Sequence, residues 1–416
     1  MKRGFVIILV LVIVASAVNA ADDFIDRVED KLLFGDAQGE FRARLSGTLD
    51  LEGYHFQLPA PGLIYTEHEN LFNPRLSLFL DAQLGQYIYL FVQSRADRGF
   101  DPGVDHTQMR IDEFAVRLSL NPERLFNVQI GKFATVVGNW VERHGSWDNP
   151  FITAPLVYEN MTGVWDVAAP NSMDTLLRWS HMRPSVFADG SNEDKDRRLP
   201  VIWGPNYSTG LAISGQIERF QYAVEIKNSA LASRPDSWNA ANVQWQNPTF
   251  SGRVGYRPNE AWNLGFSASS GSFLNSAARP TLAPGRALDD YREILLGQDI
   301  SFAWHHFQLW TEVYATRFEI SRVGDVDTVS YYAEVKYKFT AQFFGAIRWN
   351  QQVFGTVTDS AGQRLPWGRD IWRIDFAPAY RFTPHTQLKF QYSLQRTGGP
   401  ATNWNNIFAV QTTVRF

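Results

Sequence analysis

The 416-residue chain has no cysteine, which excludes a disulfide scaffold, a thiolate-held metal and a thiol nucleophile. Charge is scarce: Asp, Glu, Lys and Arg make up 20% of the residues and leave a net charge of −4. That balance lacks the basic excess a nucleic-acid binder uses against phosphates, so nucleic acid is not expected as a partner. Long apolar runs are also missing. The longest, Phe5 to Val18, falls short of the roughly 20 residues a spanning helix needs. It follows Lys2 and Arg3 and precedes Val18-Asn19-Ala20, the layout of a secretory signal peptide over residues 1–20, with a short N-terminal anchor as the alternative. Any later crossing of a membrane then falls to strands. There is no G-x-S-x-G elbow, H-E-x-x-H helix or phosphate-binding glycine loop, so neither an enzyme nor a cofactor or metal is expected.

Aromatic residues are plentiful: 14 Trp, 15 Tyr and 30 Phe in a chain with a mean hydropathy of −0.25. A sheet with one apolar and one polar face reconciles the two figures. From Phe41 the pattern has a period of two. Phe41, Ala43, Leu45, Leu49 and Leu51 fall on one side; Arg42, Arg44, Ser46, Asp50 and Glu52 fall on the other. The alternation recurs at 75–84, 110–119, 211–218, 221–227, 250–257, 262–268, 330–339, 343–352, 371–382 and 388–395. Such runs are strands wet on one face, and hence antiparallel. Several are long enough to cross a bilayer at a tilt.

The connections alternate too. Short turns at 84–86, 121–124, 218–219, 258–260, 305–306, 340–341 and 383–385 are interleaved with long loops at 57–72, 98–108, 231–246, 273–290, 355–368 and 398–404. That asymmetry predicts an all-β, transmembrane, antiparallel up-and-down β-barrel over 41–416. The strand count depends on 136–207. Reading Trp165–Ala168 and Leu176–Ser180 as a hairpin favours eighteen strands; reading the whole segment as one excursion gives sixteen. Residues 21–40 form a short N-terminal segment on the periplasmic side, with Ile25, Val28 and Leu32 at helical spacing.

The chain ends Asn406-Ile407-Phe408-Ala409-Val410-Gln411-Thr412-Thr413-Val414-Arg415-Phe416. A closing strand that finishes on an aromatic resembles the assembly signal of Gram-negative outer-membrane porins. In pattern the chain is most similar to the phosphate-selective porin and alginate-exporter group of 16- to 18-stranded barrels, on Val128-Gln129-Ile130-Gly131-Lys132-Phe133 and the Trp- and Pro-rich excursion after it. The resemblance implies an integral protein of the cell outer membrane, partnered by membrane lipid and lipopolysaccharide. It implies insertion by the barrel-assembly machinery, which reads Phe416. In some relatives an N-terminal helix aids a homotrimer; here it either does that or caps the rim. The sequence has no lysine cluster of the kind phosphate selectivity needs.

If the apolar face meets lipid, the charges line the lumen. Pore-lining residues are then Arg42, Arg44, Arg75, Arg95, Glu113, Arg117, Arg253, Lys336, Lys338, Arg348, Arg373 and Lys389. A small basic excess among the inward charges predicts a weak anion preference. Lys132 and Arg317 break the parity, as residues near loops would. The excursion at 136–160 is expected to fold inward as a pore constriction, with Arg143, His144, Trp147 and Asp148 at its narrowest point. The expected function is passive diffusion of small hydrophilic solutes. A rim hydrolase acting on lipid or peptide, for which His144, Ser146 and Asp148 supply the residue types, is one alternative; a plugged structural or adhesive barrel is the other. Asp97, Asp101 and Asp105 read as a solvated loop rather than a calcium site, and 192–198 as an exposed mixed-charge loop.

Overall fold

The computed structural model describes residues 24–36, 39–58, 60, 62–64, 66, 68–98, 106–121, 125–181, 197–235, 247–398 and 403–416. The expected signal peptide, Asp101, Asp105 and most of the 192–198 run lie outside them.

The period-two segments become strands: β1 Leu33–Gly35, β2 Phe41–Phe56, β3 Asn70–Leu84, β4 Ile88–Asp97, β5 Gln108–Ser119, β6 Asn127–Phe133, β7 Ser208–Ile217, β8 Phe220–Lys227, β9 Thr249–Tyr256 and β10 Trp262–Ser272. They continue as β11 Arg292–Trp304, β12 Phe307–Phe318, β13 Val326–Lys338, β14 Phe343–Phe354, β15 Thr356–Thr358, β16 Arg364–Pro366, β17 Ile371–Arg381, β18 Thr386–Thr397 and β19 Asn403–Arg415. Strands β2–β14 and β17–β19 pair antiparallel in chain order. The ring closes where β19 meets β2, from Ile407↔Phe56 to Arg415↔Thr48. The result is a sixteen-stranded barrel. β1 extends β2 beyond the seam through Leu33↔Arg44, and β15–β16 is a small hairpin within a loop.

Sixteen strands, not the favoured eighteen, form because the expected hairpin at 165–180 is not a strand pair. Met173–His181 is helix α2 instead. Ser172 Oγ accepts the Thr175 N–H at 3.2 Å, and Leu176, Leu177 and Ser180 share one buried face. That is an N-cap followed by apolar spacing of 3.6. Trp165 makes only an isolated bridge to Arg198.

The two ends of the barrel differ, as the turn chemistry foretells. Ile217↔Phe220 and Trp304↔Phe307 are closed by two-residue turns, whose first residues, Glu218 and His305, both have φ of 51°. At this turn end helix α1, over 24–31, docks through Asp26, which lies 2.8 Å from His385 Nε2. At the other end the loops share an apolar cluster. Val164, Leu176, Leu177, Leu199, Trp203, Phe273, Tyr291, Phe318, Phe354 and Trp367 pack together above the strands. This cluster is a core like that of a water-soluble domain, and it roofs part of the barrel.

Candidate pore and its lining

The segment after β6, over 134–160, enters the lumen. The inward bend comes at Gly138, with φ of 79°, where any Cβ would overlap the Tyr314 hydroxyl. Past the bend the segment fastens to the inner wall. Asn139 and Trp140 donate backbone N–H groups to Glu312 Oε1 at 2.5 and 2.9 Å. Arg143 Nη1 meets Glu334 at 2.5 Å and Nη2 meets the Tyr332 hydroxyl at 3.1 Å. Lys389 Nζ donates to the carbonyls of Ser146 and Asn149 at 2.6 and 3.0 Å. Gln391 accepts from Ile152 N at 2.6 Å. Arg348 reaches the Thr153 carbonyl at 2.9 Å, and Arg373 binds Glu159. Apart from two short 3-10 turns, Val141–Arg143 and Leu156–Tyr158, the segment's backbone has polar groups satisfied by wall side chains, as burial demands. The contacts run along β12–β14, β17 and β18.

That anchoring leaves space on both sides of the 139–149 segment. Toward the turn end lies a vestibule of about 950 Å³ lined by Asn139, Glu142, Arg143, Asp148, Lys336, Lys338 and Arg381, among others. On the other side, against the β3–β5 wall, is a narrower cavity of about 150 Å³. Five cationic residues line it, Arg75, Arg95, Arg98, Arg110 and Lys132, against two carboxylates, Asp112 and Glu159. Trp140, His144, Phe151, Ile152, Tyr158 and Tyr207 face them.

A β-bulge builds the cationic wall. Gln93 pairs with Glu113, but the next residue, Ser94, pairs with Ile111. Asp112 is therefore an extra residue, and both it and Glu113 turn inward. Beyond the bulge Arg95 stands directly opposite Arg110. Like charges at such a position repel, and Asp112 bridges them: Arg95 Nε and Arg110 Nε lie 2.7 and 2.8 Å from its two oxygens. Asp97 takes Arg110 Nη1 at 2.5 Å. Arg75 is held by Asp50 at 3.1 Å and Glu52 at 2.5 Å.

Of the residues expected at the constriction, His144 lies in the narrow cavity. It is held between the Val141 carbonyl, 2.5 Å from Nδ1, and the Tyr207 hydroxyl, 2.6 Å from Nε2. Burial lowers its pKa to about 4, so it is neutral near pH 7. Neither ring nitrogen meets Ser146 or Asp148, so no triad forms. Arg143 lies against β12 and β13, its guanidinium 4.4 Å from the Trp310 ring centre. Trp147 is buried between Arg381 and Arg415, at 4.8 and 4.1 Å. Asp148 is exposed in the vestibule.

The residues expected to line the pore divide into groups. Arg75 and Arg95 line the narrow cavity; Lys336 and Lys338 line the vestibule. Arg348, Arg373 and Lys389 point inward but are fully buried beneath the excursion. Glu113 accepts Ala134 N at 2.7 Å, Arg117 binds Gln129 at 2.8 Å, and Arg253 binds Asp299 at 2.6 Å. Arg42 and Arg44 are exposed at the turn end, Arg44 being 3.6 Å from Glu29. Arg110 and Asp112 were absent from the expected set, because strict alternation counted from Glu113 puts both outside. Lys132 is also corrected: it is buried, donates to the Ile111 carbonyl at 2.9 Å, and lines the cavity. Arg317 does face outward, paired with Asp327 at 2.7 Å.

No family model matches the sequence, and no curated protein matches it. Solved structures do. An anion-selective porin from Comamonas acidovorans is similar with a TM-score of 0.56 at 12% identity, covering 91% of this chain and 100% of that one. Salmonella typhi OmpF, in complex with daunomycin, gives 0.54 at 11%, covering 92% and 100%. OmpT, an outer membrane protein of Vibrio cholerae, gives 0.54 at 9% in a trimer form, covering 90% and 99%. At such identities the likeness is one of fold. The chain has the fold of a sixteen-stranded outer-membrane barrel, with porins among its structural neighbours.

Proposed function

We propose that the chain is an outer-membrane porin, exported and inserted by the barrel-assembly machinery, through which small hydrophilic solutes diffuse passively with anions preferred. The supporting observation is the narrow cavity beside the inserted segment, where five cationic residues line one passage with two carboxylates. Charges at a narrow, weakly solvated constriction act on permeating ions far more than charges on a wide wall. The vestibule leans the same way: Arg143, Arg219, Arg257, Lys336, Lys338 and Arg381 face Glu142, Asp148, Glu218 and Glu260. We place the loop end at the cell surface among lipopolysaccharide and the turn end in the periplasm, and read the chain as a channel rather than an enzyme. Kinship with the phosphate-selective and alginate-exporter group belongs to this proposal, as does a homotrimer.

Purified protein in planar bilayers should show stepwise conductance, with a reversal potential under a salt gradient that marks anions as the more permeant ions. Electrically silent insertion at high protein would overturn the channel reading; cation selectivity would overturn the assignment of the narrow passage.

A further inference from the structure

We propose that the narrow cavity is a binding station for a small organic carboxylate with a compact apolar body, of the kind an aromatic monocarboxylate represents. This deepens the porin reading, which it needs only to say what the binding serves. A passage for inorganic ions calls for charge and water. This one has charge on one wall and apolar or aromatic surface on the other: Trp140, Phe151, Ile152 and Tyr158 face the arginines. A purely hydrophilic anion gains nothing from that second wall, whereas an apolar body buried there is stabilised in proportion to the area it takes out of water.

The donors fit a carboxylate. A guanidinium carries five N–H groups in a planar fork suited to carboxylate geometry. Arg95 engages Asp112 through Nε and Nη2, and Arg110 engages Asp112 and Asp97 through Nε and Nη1. Both guanidiniums line the cavity. The opposite wall carries an independent sign. Trp140 is 4% exposed, and its indole N–H has no hydrogen-bond partner. A buried donor left unpaired costs free energy, and an anion seated between Trp140 and the arginines would satisfy it. Size sets the class. Pockets for drug-sized ligands span roughly 300–1,000 Å³, and this cavity has about 150 Å³.

The test is calorimetric titration of the full chain in detergent micelles at constant ionic strength. The probes are benzoate, acetate (charge without the ring) and benzamide (ring without the charge). We expect saturable benzoate binding at least tenfold tighter than either of the others. Equal binding of benzoate and acetate, equal binding of benzoate and benzamide, or no saturable benzoate binding overturns the proposal. Arg110→Gln should weaken benzoate at least tenfold. If that variant loses its heat-modifiable folded band, Trp140→Phe, which keeps a ring and removes only the N–H, should weaken it severalfold; unchanged affinity in a folded Trp140→Phe protein also overturns the site. Bilayer recordings separate the two claims. Conductance without benzoate binding sinks the station and leaves the porin; binding without conductance sinks the porin and leaves the station.

Discussion

Arg348 and Arg373 flank Asp375, at 2.9 and 3.0 Å, with no exposure to solvent. Both also hold the excursion, through Thr153 and Glu159. Removing one member of a buried charged set leaves the others uncompensated, at about 3–5 kcal/mol. Arg373→Leu should therefore lower the urea midpoint of the micelle-bound protein by a corresponding amount; an unchanged midpoint would mean that the cluster braces nothing. His144 sets a pH dependence. Its folded pKa of about 4 lies below its ordinary value of 6.5, so the unfolded chain binds the proton first. Stability present above about pH 6.5 is lost as the pH falls toward 4, by up to about 3 kcal/mol. His144→Gln should flatten the urea midpoint across that window. The inward charge of Arg75, Arg95 and Arg348 could be read from parity alone. Their partners could not, because cross-strand register and the path of the excursion are absent from any local pattern.

Among the elements, the turns at 84–86, 258–260 and 383–385 were legible because glycine, proline or asparagine punctuates an otherwise steady dyad, and those at 218–219, 305–306 and 340–341 only because the dyad itself breaks there. The excursion was legible as polar, Trp-rich and too long to hang free. Helix α2 was misread, because two short apolar runs around a Pro-Asn-Ser step look like a hairpin until the 3.6 spacing of Met173, Leu176, Leu177 and Ser180 is counted. The excursion also yields a measurable expectation. Deleting 140–150 removes the Arg143–Glu334 pair and the Lys389 anchors at Ser146 and Asn149, and opens the narrow cavity into the vestibule. Single-channel conductance should rise severalfold in protein that keeps its heat-modifiable band. Wild-type conductance in such protein would show that the segment does not throttle the passage.

At the scale of the whole molecule, Phe416 lengthens the closing seam between β19 and β2 by one residue. Phe416 exchanges backbone bonds with Gly47 at 2.8 and 3.0 Å, and its ring occupies the space a Gly47 side chain would need. Deleting Phe416, or replacing Gly47 by Val, should reduce the heat-modifiable band in outer-membrane fractions; the deletion should do more, since it also removes the terminal aromatic. Unchanged levels for both would detach assembly from this seam. The bulge at Asp112 has a different consequence, for how such barrels diversify. Because Gln93↔Glu113 and Arg95↔Arg110 keep their facing on either side of it, one inserted residue adds an acid to the passage while every other side chain stays on its own face. Loss of that residue would strip the carboxylate from two opposed guanidiniums and leave the barrel's frame intact. A one-residue insertion at a bulge can therefore change the charge of a barrel's lining without turning the neighbouring strand residues to the other face.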